Sequence, residues 1–256
     1  MNFERPYYID IGMRPMLFYI IFGVNDPNTV ISRERHRVDA APEGLEFQLL
    51  NREQHGDYID SLLSSVYGEV LREKKPELFD RVKECSGWTI LRGELAEDSS
   101  LDYLRNTIGF VQAFCENGGV GVLDLQTISL YSPEEWNDRF FSADFNPIDH
   151  TVFMVSKTEN NLAFVHKRGM RKFGRPDIGI ENIPWEEVDD AALVAEQMVR
   201  YGAMGAVFTD GAVFCISGGK RYSVKPDFVP DFDNDDYNNA FYRVDWKQCE
   251  LTFEEE

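Results

Sequence analysis

Residues 88–131 read WTILRGELAEDSSLDYLRNTIGFVQAFCENGGVGVLDLQTISLY, and the hydrophobic period changes twice within them. WTILRGEL (88–95) is short, apolar and rich in β-branched and aromatic side chains, which predicts a strand. Leu101, Leu104, Ile108, Val111 and Cys115 then advance by three and four residues, so they line one face of a helix. The run EDSS ahead of that helix offers capping side chains, and ENGG behind it offers a stop. VGVLDLQTISLY (120–131) returns to strand character. Ser132 before Pro133 puts a cap ahead of proline at the first helical position, so SPEEWNDRFF predicts a short helix.

Toward the N-terminus, residues 7–24 and 45–50 predict strands, separated by the breakers NDP (25–27) and APEG (41–44). From Tyr58 to Glu73 the apolar positions Ile59, Leu62, Leu63, Val66, Val70 and Leu71 recur at helical spacing. Pro76 restarts a second helix through Lys83 and forces Lys75 out of helical geometry. Toward the C-terminus, TVFMVSK and LAFVHK (151–157, 162–167) flank TENN as a hairpin. Pro184 opens a helix whose expected inner face is Trp185, Val188, Ala192, Ala195 and Val199, with acidic residues in its first turns. AVFTDGAVFCI (206–216) reads as two strands around Asp-Gly, and FYRVDW with CELTF as a closing hairpin. This order predicts an α+β fold, a mixed and mostly antiparallel sheet arrangement covered by helices in two related β-α-β halves. The expected organisation is a single domain over 1–256, with 1–85 as an optional N-terminal subdomain and 86–256 as the main one.

With 45 acidic against 26 basic side chains the chain carries a net charge of -19. Such a field opposes nucleic acid and anionic membranes and favours cationic partners. The N-terminus lacks a signal-peptide pattern, and the longest apolar run, MLFYIIFGV (16–24), is half a bilayer span, so a cytoplasmic protein is expected. Cys85, Cys115, Cys215 and Cys249 form no C-x-x-C pair and suit reduced, mostly buried thiols. The histidines His36, His55, His150 and His166 have no metal-ligand spacing, so no metal or cofactor is expected. DFDNDD (231–236) starts like a calcium loop, but its sixth position is Asp236 and its twelfth is Tyr242. No phosphate loop, dinucleotide fingerprint or G-x-S-x-G elbow is present.

Against this acidic background HKRGMRKFGRPDIGI (166–180) gathers Lys167, Arg168, Arg171, Lys172 and Arg175 around two glycines and a proline. A nucleic-acid patch would work against the field of the whole molecule. The preferred reading is structural: Gly169, Gly174 and Pro176 shape a turn and the cations pair internally with carboxylates. The alternative is an α+β enzyme or small-anion-binding domain with its site at the Arg168–Arg175 loop.

RGMRKFGRPDI (168–178), set after a hairpin and before a helix, resembles a segment of bacterial immunity proteins. These pair with restriction-endonuclease-like toxins of polymorphic-toxin and type VI secretion systems. The marker residues are Gly169, Arg171, Phe173, Gly174, Pro176 and Asp177, and the element order from WTILRGEL to LYSPEEW is similar to the same group. The resemblance implies a non-enzymatic immunity protein that binds and neutralises a cognate toxin effector, a basic nuclease, through an acidic surface. Expected partner contacts are Asp231, Asp233, Asp235, Asp236 and Tyr237 in one acidic stretch, and Glu186, Glu187, Asp189 and Asp190 in another.

Overall fold

The run MLFYIIF becomes β1 (Met16–Phe22), with Leu17, Tyr19, Ile20, Ile21 and Phe22 all buried. Burial of consecutive residues means both faces of the strand are covered, which places it inside its sheet. The computed structural model describes residues 3–96, 99–158, 160–215, 221–229 and 239–246. Contacts divide the chain into two compact units: the chain up to Glu4 with Arg14–Asp149, and Arg5–Met13 with His150 onward.

In the first unit β1 is followed by β2 (Glu46–Asn51), α1 (Arg52–Leu63), α2 (Val66–Lys74), α3 (Pro76–Lys83), β3 (Gly87–Glu94), α4 (Asp102–Glu116), β4 (Gly121–Asp124), β5 (Ser129–Tyr131) and α5 (Pro133–Trp136). The sheet runs β2-β3-β1-β4-β5 and every neighbouring pair is antiparallel. A boundary at residue 85 would split this sheet, because β3 pairs with both β1 and β2. Ile20 and Phe22 pack with Ile59, Leu71, Phe79 and Val82 of α1–α3, whereas the Tyr19 ring meets Trp136 at 5.5 Å.

Local chemistry moves several boundaries. The helix expected from Tyr58 begins at Arg52, because Asn51 accepts a hydrogen bond from the Gln54 amide, and it breaks between Leu63 and Val66. Lys75 leaves helical geometry (φ -145°, ψ 66°) ahead of Pro76, as proline demands. No side chain caps α4 at Leu101; the Ser100 hydroxyl accepts from the Asp102 amide instead. VGVLDLQTISLY folds as a hairpin, not as one strand: Asp124 Oδ1 accepts from the Gln126 amide and turns the chain between β4 and β5. Ser132 and Glu135 form a reciprocal capping box, and the helix continues as a π-helical turn over Asn137–Phe141.

The second unit contains β6 (Val152–Lys157), β7 (Ala163–Arg168), β8 (Asp177–Ile183), α6 (Val188–Ala203), β9 (Ala212–Cys215), β10 (Arg221–Asp227) and β11 (Phe241–Asp245). Its sheet runs β6-β7-β8-β11-β10-β9, with β8 and β11 parallel and the other pairs antiparallel. The fold is therefore α+β with two mostly antiparallel sheets. Each unit inserts its main helix after its third strand, although the strands pair in different orders.

Four expectations change here. Residues 206–209 are not a strand; the Asp210–Gly211 turn leads into β9, which pairs with β10. β11 is an internal strand between β8 and β10, and CELTF lies outside the described residues. The buried stripe of α6 is Ala191, Val194, Ala195, Met198 and Val199, which leaves Trp185 in a separate 3-10 turn and exposed. Residues 7–15 form no strand either. Instead the Tyr7 and Ile9 amides donate to the carbonyls of Met204 and Gly205 (3.1 and 3.2 Å) at the end of α6. Gly205 permits this approach: its φ is +98° and a Cβ would lie 2.4 Å from Tyr8 Cα.

Candidate functional site

The basic stretch is built as an internal brace. Gly169 and Gly174, both in left-handed backbone, bracket one 3-10 turn over Met170–Phe173. Asp177 Oδ1 accepts from the Gly169 and Met170 amides at 3.0 and 2.8 Å and pins the start of that turn. The Lys172 ammonium, fully buried, donates to the His150 carbonyl at 2.8 Å. Arg175, also fully buried, donates to the carbonyls of Gly174, Ala206, Ile9 and Gly205. Arg5 does the same for Ala203 and Phe173. Tyr8 lies under both guanidinium groups, 5.1 Å from Arg5 and 5.7 Å from Arg175. Besides the carboxylate partners expected for the cations of this stretch, Arg175 and Lys172 bind main-chain carbonyls. Of the other marker residues Phe173 and Pro176 are buried, and Arg171 is half-buried.

Burial also sets the ionisation of this region. It raises Asp177 from the ordinary 3.8 to about 6, against the opposing pull of the two amides. Burial, with help from the Arg168 charge, lowers His166 to about 4. The loop thus closes on itself, with only Arg168 and Arg171 half-exposed.

Of the expected partner contacts, Asp231, Asp233, Asp235, Asp236 and Tyr237 lie outside the described residues. Glu186 and Asp189 are exposed, Asp190 is half-buried, and Glu187 Oε2 accepts from the Trp246 indole at 2.6 Å. The sequence did not single out what stands beside them. Trp185 is 45% exposed, its ring fixed by an indole hydrogen bond to the Asn161 carbonyl at 3.0 Å, and Leu193 is 52% exposed. Reading Trp185 as a core residue hid this patch.

Among the described residues no group of three or more His, Cys, Asp or Glu side chains is placed to hold a metal ion. Cys85 and Cys115 are free, buried thiols, and burial pushes Cys115 up to about 12. No described helix is long and apolar enough to cross a membrane.

A cleft of about 510 Å³ opens in the first unit, lined by Phe3, Arg37, Asp102, Arg105, Ile108, Phe140, Phe141 and Asp144. Its residues come from four separate segments and carry no shared motif, so only the fold assembles them. Compared with known protein families, curated proteins and solved structures, the chain finds no match.

Proposed function

We propose that this chain is a cytoplasmic, non-enzymatic immunity protein that neutralises a toxic bacterial effector, a nuclease with a basic substrate-binding surface. The observation that carries this reading is the inward placement of positive charge. Arg5, Lys167, Lys172 and Arg175 are buried, against two buried carboxylates, Asp124 and Asp177, among the described residues. Among the described residues the exterior is therefore more negative than their composition, within a chain at -19. Such a surface steers a basic partner into fast encounter.

The patch at the start of α6 fits an anchor for that partner. Trp185 and Leu193 supply apolar area beside Glu186 and Asp189. An exposed Trp held by its own hydrogen bond is pre-organised, and Trp is over-represented among residues that dominate interface energy. The alternative reading, an anion site at Arg168–Arg175, is disfavoured because Arg175 and Lys172 are fully buried and committed to carbonyls.

Co-expression with the toxin encoded by a neighbouring reading frame tests the proposal. Rescue of growth and a complex that survives size exclusion are expected. If cells die as fast with the protein as without it, and no complex forms, the immunity reading is lost.

A further inference from the structure

The cleft of the first unit combines three features that fold stability alone does not require. Arg37 adopts left-handed backbone (φ 56°), a conformation that strains a non-glycine residue. Its neighbours hold it there: the buried His36 accepts from the Ser32 amide through Nδ1 (2.9 Å) and meets Glu116 through Nε2 (3.2 Å). Two residues on, the Asp39 amide donates to Asn106 (3.0 Å). The segment lies so close to α4 that a Cβ on Gly109 would fall 2.1 Å from the His36 carbonyl oxygen. Strain fixed by this many contacts is characteristic of sites where a side chain must be aimed.

The strained Arg37 donates to the Phe141 carbonyl (2.7 Å) and stacks over the Phe141 ring at 4.8 Å. Phe140 and Phe141 end the π-helical turn, an element common at functional sites. Arg105, from α4, brings the third feature. Its Nη2 contacts Asp39 and Asp102, which fixes the guanidinium in the cleft wall, while its Nε is buried away from the cleft with no hydrogen-bond partner among the described residues. Asp144 is exposed on the cleft and engages no hydrogen bond or ion pair among the described residues.

We propose that this cleft binds a small zwitterionic aromatic molecule of the aromatic amino-acid class. The carboxylate goes to the guanidinium groups of Arg37 and Arg105, the ammonium to Asp144, and the ring against Phe3, Ile108 and Phe140. A cleft of about 510 Å³ is within the usual size for such ligands. Charge decides between ligand classes. The lining holds two guanidinium groups and two carboxylates, Arg37 and Arg105 against Asp102 and Asp144. A doubly charged phosphate would meet a balanced site inside a -19 molecule, whereas a zwitterion matches both signs without adding net charge. Guanidinium donors suit a planar carboxylate, and the phenyl walls suit a ring. The site lies apart from the α6 patch and does not depend on the immunity reading.

Isothermal titration with L-phenylalanine, L-tyrosine and L-tryptophan tests the assignment, with phenylpropionate, phenethylamine and adenosine monophosphate as comparison probes. Saturable binding of at least one amino acid is expected, at least tenfold tighter than the probe lacking either charge. Asp144→Asn should weaken the amino acid at least fivefold and leave phenylpropionate unchanged; since Asp144 has no partner to lose, its melting temperature should not move. Arg105→Lys should weaken both amino acid and phenylpropionate. If no amino acid saturates the site, the proposal fails. It fails too if adenosine monophosphate binds tighter, or if Asp144→Asn binds like the parent.

Discussion

The guanidinium of Arg175 donates to the carbonyl of Ile9 at 2.8 Å, across 166 residues of sequence. With its bonds to Gly174, Ala206 and Gly205, it ties the N-terminal segment to the end of α6. Removing it leaves several buried carbonyls without donors. Arg175→Ala should therefore cost about 3 kcal/mol or more in urea unfolding. Arg175→Lys should recover less than half of that, because one ammonium cannot reproduce the planar fork. Arg171→Ala, at a half-buried position, should cost far less. Equal losses for Arg171 and Arg175 would refute the brace.

Acid response separates Asp177 from His166. Asp177 titrates near 6 in the folded protein instead of 3.8, so the folded state holds its proton more tightly. Its contribution to stability falls as pH rises from about 4 to about 6. His166 titrates near 4 instead of 6.5, so its contribution falls as pH drops from about 6.5 to about 4. The two oppose each other, each worth up to about 3 kcal/mol across its window. Melting temperatures between pH 4 and 7 should show this as a difference between variants. Asp177→Asn should lose stability on acidification more steeply than the parent, and His166→Phe should gain relative to it. Parallel curves for all three proteins would contradict the assignment.

Tyr19 is buried and its hydroxyl has no hydrogen-bond partner among the described residues. Burial and the nearby Asp124 raise its pKa well above the ordinary range. Because an unmade buried bond costs roughly 1–3 kcal/mol, Tyr19→Phe should be neutral or stabilising. A loss of about 1 kcal/mol or more would mean that the hydroxyl is satisfied by a bound molecule.

At the α6 patch, Trp185→Ala should weaken the toxin complex by roughly tenfold or more, mainly through faster dissociation. Reversing Glu186 and Asp189 to Lys should instead slow association, most visibly at low salt. Surface plasmon resonance separates the two rates. A Trp185→Ala complex with unchanged lifetime would move the interface elsewhere.

Strand and helix content was legible because it rests on local periodicity. Pro76, Ser132 and the ENGG stop act within a few residues, and the structure places helix ends where they imply. The losses came from side chains with distant effects. Asp124 turns a continuous apolar run into a hairpin through one hydrogen bond to Gln126. The β8–β11 pairing joins residues more than sixty positions apart and leaves no local trace. In the basic stretch Lys172 and Arg175 donate to carbonyls, which every residue carries and no pattern can mark. Arg37 and Arg105 escaped notice for a similar reason: single arginines in ordinary contexts become a site only when α4 and the π-helical turn converge.

Arg5 finds the Ala203 carbonyl 198 residues further along the chain. During synthesis at about 5–20 residues per second, some ten to forty seconds separate the two. The first unit needs only residues up to Asp149 and can finish folding within that interval. Meanwhile Arg5–Met13, with its tyrosines and open amide donors, must wait outside the ribosome for an acceptor not yet made. Arg5–Met13 is thus fixed long after it is made, and in that interval it is a handle that a chaperone can hold.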